Sequence, residues 1–210
     1  VSSGASVGAT SVILLGAFSI FGVYALSVAA FLGAVVAVTL VFFLARVGGR
    51  TSVMRLLLAG IAVSMILSAM TNFMLMMSKD QGGIQAVMHW MLGSLAGAKW
   101  SNIFIPAIVL IVVFFLLIFN YRQLNALLLG DETATTMGIN VEIFRVFVIS
   151  IVALLTGVVV AVSGSIGFVG LIVPHIVRML VGSNYKVVLP FSAVVGAIFI
   201  IWADLGARVA

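Results

Sequence analysis

From Ala25 to Ala45 the chain carries no charge, and Ser27 and Thr39 are its only polar side chains. Such a run is long enough to cross the roughly 30 Å hydrocarbon core of a bilayer as a helix. In that medium every backbone N–H and C=O must be satisfied within the protein, which leaves helices and closed barrels. Comparable runs recur at Leu56–Ser78, Ala107–Tyr121 and Ile143–Val162, before Val181, and after Pro190. With the small-residue segment Val1–Phe21 they make about seven spans. The expectation is an all-α, polytopic transmembrane bundle, with no repeat or linker to divide it, and so one domain over residues 1–210. Composition agrees: 64% of residues are hydrophobic and 7% charged, against about 25% charged in soluble domains. The chain opens at Val1 without an initiator Met and ends inside an apolar run at Ala210, as expected of a piece cut at both ends.

The net charge of +5 rests on ten basic residues placed singly at span ends. That pattern indicates membrane anchoring and no nucleic acid. Arg46, Arg50, Arg55, Arg122, Arg145, Arg178 and Lys186 fall on one side when the spans alternate; Lys79, Lys99 and Arg208 fall on the other. By the positive-inside rule the first side is cytoplasmic. There is no cysteine, no HExxH and no paired carboxylate, which argues against a metal site or an intramembrane enzyme. Gly164, Gly167 and Gly170 suggest a break before Pro174; without GKS, GKT or a preceding strand they are not a phosphate loop.

Three of the five acidic residues, Asp131, Glu132 and Glu142, lie in one polar island, Leu127–Arg145. Asp131 is placed as an N-cap, Glu132–Met137 as a short helix, and Gly138 as its left-handed end. So short a helix is unstable alone and needs something to lie against. Composition leaves both an ordinary interhelical loop and a docking surface open. On Leu56–Ser78, Ser64, Ser68 and Asn72 share a face beside Met65 and Met76, as either a water-lined path or interhelical hydrogen bonding. Gly4 and Gly8 form GxxxG, read as close helix packing. Trp90 is expected at headgroup level on a short helix Ile84–Leu92, and His89 and His175 are read as structural at least as readily as functional. Pro106 is placed in a helix's first turn and Pro190 at the start of the last span. Asp204 and Arg208 are spaced to pair along that span.

Taken together, VSSGASVGA (from Val1), RLLLAGIAVS (from Arg55), WMLGSLAGAKW (from Trp90), LLLGDETATTMGIN (from Leu127), GSIGFVGLIVPHIVR (from Gly164) and ADLGAR (from Ala203) run in one order across nearly the whole chain. They resemble the membrane permeases of type II ABC importers, the FecCD-like family that takes up iron–siderophore complexes, haem and cobalamin. The resemblance implies a ten-span subunit, of which these would be the third to ninth spans, working with a second permease subunit as a homodimer or pseudo-dimer. Its further partners would be two cytoplasmic ATPase subunits and an external substrate-binding protein, in a bacterial cytoplasmic membrane. It implies no cofactor on this chain, with ATP and Mg²⁺ held by the ATPase. Glu132, Ala134 and Gly138 fit the family's E-x-A-x-x-x-G coupling helix, so Gly130, Asp131, Glu132, Ala134, Met137 and Gly138 would dock on the ATPase. Ser64, Met65, Ser68, Asn72 and Met76 would line the path, Thr51 and Ser52 would fall near the cytoplasmic gate, and Arg208 would meet the binding protein. Ser165 departs from the family's usual proline. The expected cargo is an iron–siderophore complex, with haem or cobalamin as alternatives. An ion-coupled secondary transporter is the rival of another class, with Asp204 as its intramembrane carboxylate.

Overall fold

A computed structural model describes residues 1–47, 50–97 and 99–209 of the chain, which are helical almost throughout. In order the helices are α1 (Ser2–Leu15), α2 (Ala25–Ala45), α3 (Val53–Met77), α4 (Gln81–Leu92), α5 (Trp100–Phe119), α6 (Tyr121–Leu128), α7 (Asp131–Thr136), α8 (Val141–Ser163), α9 (Val169–Val181) and α10 (Tyr185–Val209). A 3-10 turn covers Ser19–Tyr24, and two-residue strands β1 (Arg46–Val47) and β2 (Arg50–Thr51) pair antiparallel within the basic loop. Among the described residues, α2, α3, α5, α8 and α10 are long and apolar enough to cross a membrane. The fold is a helical membrane bundle. α1 and α9 are apolar but have 14 and 13 residues, about 21 and 20 Å of helix. Seven expected spans thus become five of full length and two shorter apolar helices.

Both proline placements at helix starts need correcting. α5 begins at Trp100 and α10 at Tyr185, so Pro106 and Pro190 lie inside their helices, as Pro174 does in α9. The earlier starts have local causes. Lys99 O accepts from the N–H groups of Asn102 and Ile103, and Asn184 O accepts from Val187 and Val188, so each first turn closes before its proline.

Two compact units are formed, Val1–Pro106 with Ser150–Ile166 and Ala107–Ile149 with Gly167–Ala210. The first is built on the crossing of α1 and α2. Its buried residues are small: Ala5, Ser6, Ala9 and Thr10 from α1, and Ala29, Ala30, Ala34 and Ala37 from α2. A methyl group on Gly4 would stand 2.2 Å from Gly33 O, one on Gly8 2.0 Å from Ala29 O, and one on Gly33 2.1 Å from Gly4 O. The backbones therefore touch, and the GxxxG reading as close packing holds. Dispersion and weak polar contacts, rather than exclusion of water, hold helices together in lipid, and both need this short approach. Trp90 of α4 packs against the Ala5, Ala9, Ala30, Ala34, Val160 and Ala161 cluster and is half-buried in this unit. The second unit packs α9 on α10 through Val173, Val177 and Val188.

The crossing yields a direct test. Gly33→Leu should destabilise the protein by about 1–3 kcal/mol through overpacking, read from denaturant unfolding in detergent. Gly60→Ala, where an added methyl meets nothing within 4 Å, should leave the midpoint unchanged or slightly raised.

Candidate functional site: the acidic island before α8

α6 ends at Leu128, Gly130 turns the chain with φ 104°, and α7 follows at once. The N-cap of α7 is Gly130, not Asp131. Asp131 is the first helical residue, and both its carboxylate oxygens accept from Arg145 Nη2 at 2.8 Å. The capping role is overturned because a guanidinium from the first turns of α8 claims the carboxylate. The Arg145 side chain is 10% exposed and that of Asp131 54%, so a buried cation reaches outward to a carboxylate at the surface. Asp131 and Glu132 also set two negative charges in the first turn, where the helix dipole favours them.

The far end closes as a Schellman motif: Ile139 N–H donates to Ala134 O, Gly138 N–H donates to Thr135 O, and Gly138 takes φ 82°. Asn140 then caps α8, its Oδ1 accepting from Ile143 N–H at 3.2 Å. Ala134 is fully buried and anchors the inner face. Outward stand Glu132, Thr135, Thr136 and Met137, with Leu128 and Leu129 exposed just before the helix. The result is a surface tied at both ends, with an apolar rim and one carboxylate, Glu132, that has no ion-pair partner among the described residues. Sequence reasoning brought Gly130, Asp131, Glu132, Ala134, Met137 and Gly138 to one place and missed Arg145 and Asn140. By sequence Arg145 reads only as an anchoring charge, although it is the nearest basic residue after Asp131 in the chain.

The other expected sites separate. Ser64 Oγ lies 2.7 Å from Ser3 Oγ of α1, an interhelical hydrogen bond. Met65, Ser68, Asn72 and Met76 are exposed on α3, away from the buried Ala59, Val63 and Thr71. Ser52 is the N-cap of α3, accepting from Arg55 N–H at 3.3 Å; the Thr51 side chain lies outside the described residues. Arg208 pairs with Asp204 as its spacing suggested. His89 and His175 are exposed on α4 and α9, and no group of three or more metal-ligating side chains occurs among the described residues.

Long apolar helices with one structured acidic segment between two of them define a polytopic helical membrane protein. The FecCD transport family profile matches residues 1–210, and the chain belongs to that family. It is 39% identical over 99% of its length to the cobalamin import system permease protein BtuC of Halobacterium salinarum, covering 55% of that protein. It is 40% identical over 88% of its length to the Fe(3+)-citrate import system permease protein YfmD of Bacillus subtilis, covering 54% of it. With the hemin transport system permease protein HmuU of Yersinia pestis, identity is 37% over 99% of this chain and 62% of that one. The chain thus spans a little over half the length of these relatives. A solved structure described as an inward-facing conformation of a metal-chelate type ABC transporter superposes with a TM-score of 0.89 at 31% identity, over 99% of this chain and 65% of that one.

If the Asp131–Arg145 pair holds α7 in place, Arg145→Gln should loosen that helix alone. Because Asp131 is half exposed, the loss is about 1 kcal/mol, or roughly fivefold faster amide exchange across Asp131–Gly138 by hydrogen–deuterium mass spectrometry. Exchange in α9 and α10 should not change.

Proposed function

We propose that this chain forms part of the membrane permease of an ABC importer and moves a bulky metal chelate, an iron–siderophore complex first of all, inward by alternating access. The observation that carries this is α7: a short helix, fixed at both ends, offering Glu132, Met137 and an apolar rim between two spans. A partner ATPase would grip that surface. ATP-driven closure would then pull on α8 through the Asp131–Arg145 pair as well as through the backbone. The chain itself does no bond chemistry on this reading. ATP and Mg²⁺ belong to the partner, and a second permease subunit completes the path.

Family membership and the relatives' names support the reading, and those names cover cobalamin, Fe(3+)-citrate and hemin. The exposed α3 face of Met65, Ser68, Asn72 and Met76 suits a large cargo of varied shape, since methionine is flexible and polarisable. Weak polar groups along it let a ligand pass without being trapped. Ser64, hydrogen-bonded to Ser3, would border the same path where α3 meets α1. Ser52, at the base of the same helix, would set the cytoplasmic gate with Thr51. A second reading, ion-coupled transport through Asp204, is disfavoured because Arg208 already neutralises that carboxylate.

In proteoliposomes holding the assembled transporter, Glu132→Lys combined with Gly138→Ala should cut ATP-driven uptake by about tenfold or more, equivalent to at least 1.4 kcal/mol of lost docking. ATP hydrolysis by the partner should persist. Full uptake in this variant, or uptake by the unaltered protein without ATP, would contradict the proposal. Arg208 is proposed to meet the external binding protein, exchanging Asp204 for a carboxylate of the partner. Arg208→Glu should weaken that association, more so at low salt where screening is least; titration of the binding protein onto nanodisc-held transporter measures it, and equal affinity at low salt would remove the role.

A further inference from the structure

Arg122 is in the first turn of α6 and Lys186 in the first turn of α10, yet the charged ends of both stand 5.8 Å from the centroid of the Tyr121 ring. Hydrogen bonds fix the arrangement. Asn125 Nδ2 donates to Asn184 Oδ1 at 2.9 Å, Tyr185 N–H donates to Asn125 Oδ1 at 2.9 Å, and Lys186 N–H donates to Asn184 Oδ1 at 3.0 Å. α6 is thereby clamped to the turn that opens α10. A third cation, Arg178, lies 5.4 Å from the Tyr185 ring centroid and donates to its hydroxyl at 3.2 Å.

Among the described residues neither Arg122 nor Lys186 has a carboxylate partner, while Asp131 and Asp204 of the same unit are taken by Arg145 and Arg208. Like charges collected in this way repel, and an aromatic face offsets that only in part. Arg122 Nε donates to the Tyr121 hydroxyl at 3.2 Å. That bond and the Arg122 charge, with a further contribution from Lys186, lower the phenol's pKa from its ordinary value, as a positive local field requires. The phenol O–H is left to donate elsewhere. Both cations are exposed and both tyrosines half-buried. The cluster also sits where two apolar spans end, and in membrane proteins tyrosine and basic residues are enriched at the headgroup-level ends of spans.

We propose that Arg122, Lys186 and the Tyr121 hydroxyl bind the phosphate of an anionic phospholipid, phosphatidylglycerol in the simplest case, at the corner where α6 meets α10. Charge complementarity commits the surface to that occupant: the site supplies two positive charges and an O–H donor and, among the described residues, no carboxylate pairs with either cation. Basic pockets at the interfacial ends of membrane helices hold anionic headgroups in this way. The site is separate from α7 and goes beyond the transport reading, since it depends on neither cargo nor ATPase.

The test uses the protein in nanodiscs of mixed phosphatidylcholine and phosphatidylglycerol, with the retained lipids counted by native mass spectrometry. R122Q/K186Q should lower retained phosphatidylglycerol relative to phosphatidylcholine by roughly fivefold per charge removed. R122K/K186R, which keeps both charges, should retain it, as should K79Q/K99Q. K186Q alone leaves the Asn125–Asn184 bonds in place and should still show the single-charge loss with an unchanged helical circular dichroism signal. An unchanged ratio in R122Q/K186Q overturns the proposal, and so does an equal loss in K79Q/K99Q. Abolition of retention by millimolar inorganic phosphate would make this a free-anion site and also overturn it. Loss of ATPase association in R122Q/K186Q with lipid retention intact would assign the surface to a protein partner instead.

Discussion

A six-residue helix has no stability of its own, because nucleation costs more than so few hydrogen bonds return. α7 exists because three contacts fix it from outside its own length. Arg145 reaches back from α8 to Asp131, Ala134 is buried to the last atom, and Gly138 adopts the positive φ that lets Ile139 and Thr135 close the end. The pair is unequal in burial, which matters for its energetics. The cation has already been desolvated, while the carboxylate keeps half its contact with solvent, so the bond is modest in strength but definite in geometry. A surface held in this way can transmit a push to the span behind it.

The first unit rests on the opposite kind of contact. At the α1–α2 crossing there is almost no side chain to pack, only Gly4, Gly8 and Gly33 letting carbonyl oxygens approach the facing backbone. Ser3 and Ser64 add one hydrogen bond between α1 and α3. Large apolar side chains of the same unit are exposed: Ile61, Met65, Phe73 and Met76 on α3, and Phe104 on α5. In water such a surface would drive aggregation. In a bilayer it is the solvent-facing side, and on the proposed reading part of it meets a second subunit and the cargo.

Much of this was legible from the sequence where one residue type admits one physical role. The bounds of α2 were visible because an uninterrupted apolar run has no competing conformation in lipid. Gly4 and Gly8 signalled close packing, although their partner Gly33 did not stand out within its own run. The acidic island was visible because carboxylates are scarce in this chain. What the sequence concealed were contacts between residues far apart in it. Asp131 has a capping residue's identity, and only the approach of Arg145 decides that it pairs instead. Trp90 has an interfacial residue's identity, and only the small-residue cluster beneath it decides that it packs. Pro106 and Pro190 looked like helix starts because the hydrogen bonds that begin each helix earlier come from backbone carbonyls, which leave no mark on residue type. The cation cluster at Tyr121 joins two segments that no local pattern connects.

The absence of cysteine makes the central claim directly measurable. A single cysteine introduced as Met137→Cys, on the exposed end of α7, can be labelled with a membrane-impermeant maleimide in intact cells and in inverted membrane vesicles. The account predicts labelling in inverted vesicles only, with protection when the partner ATPase is bound. Labelling from outside intact cells would place α7 where no cytoplasmic motor can reach it, and would contradict the account.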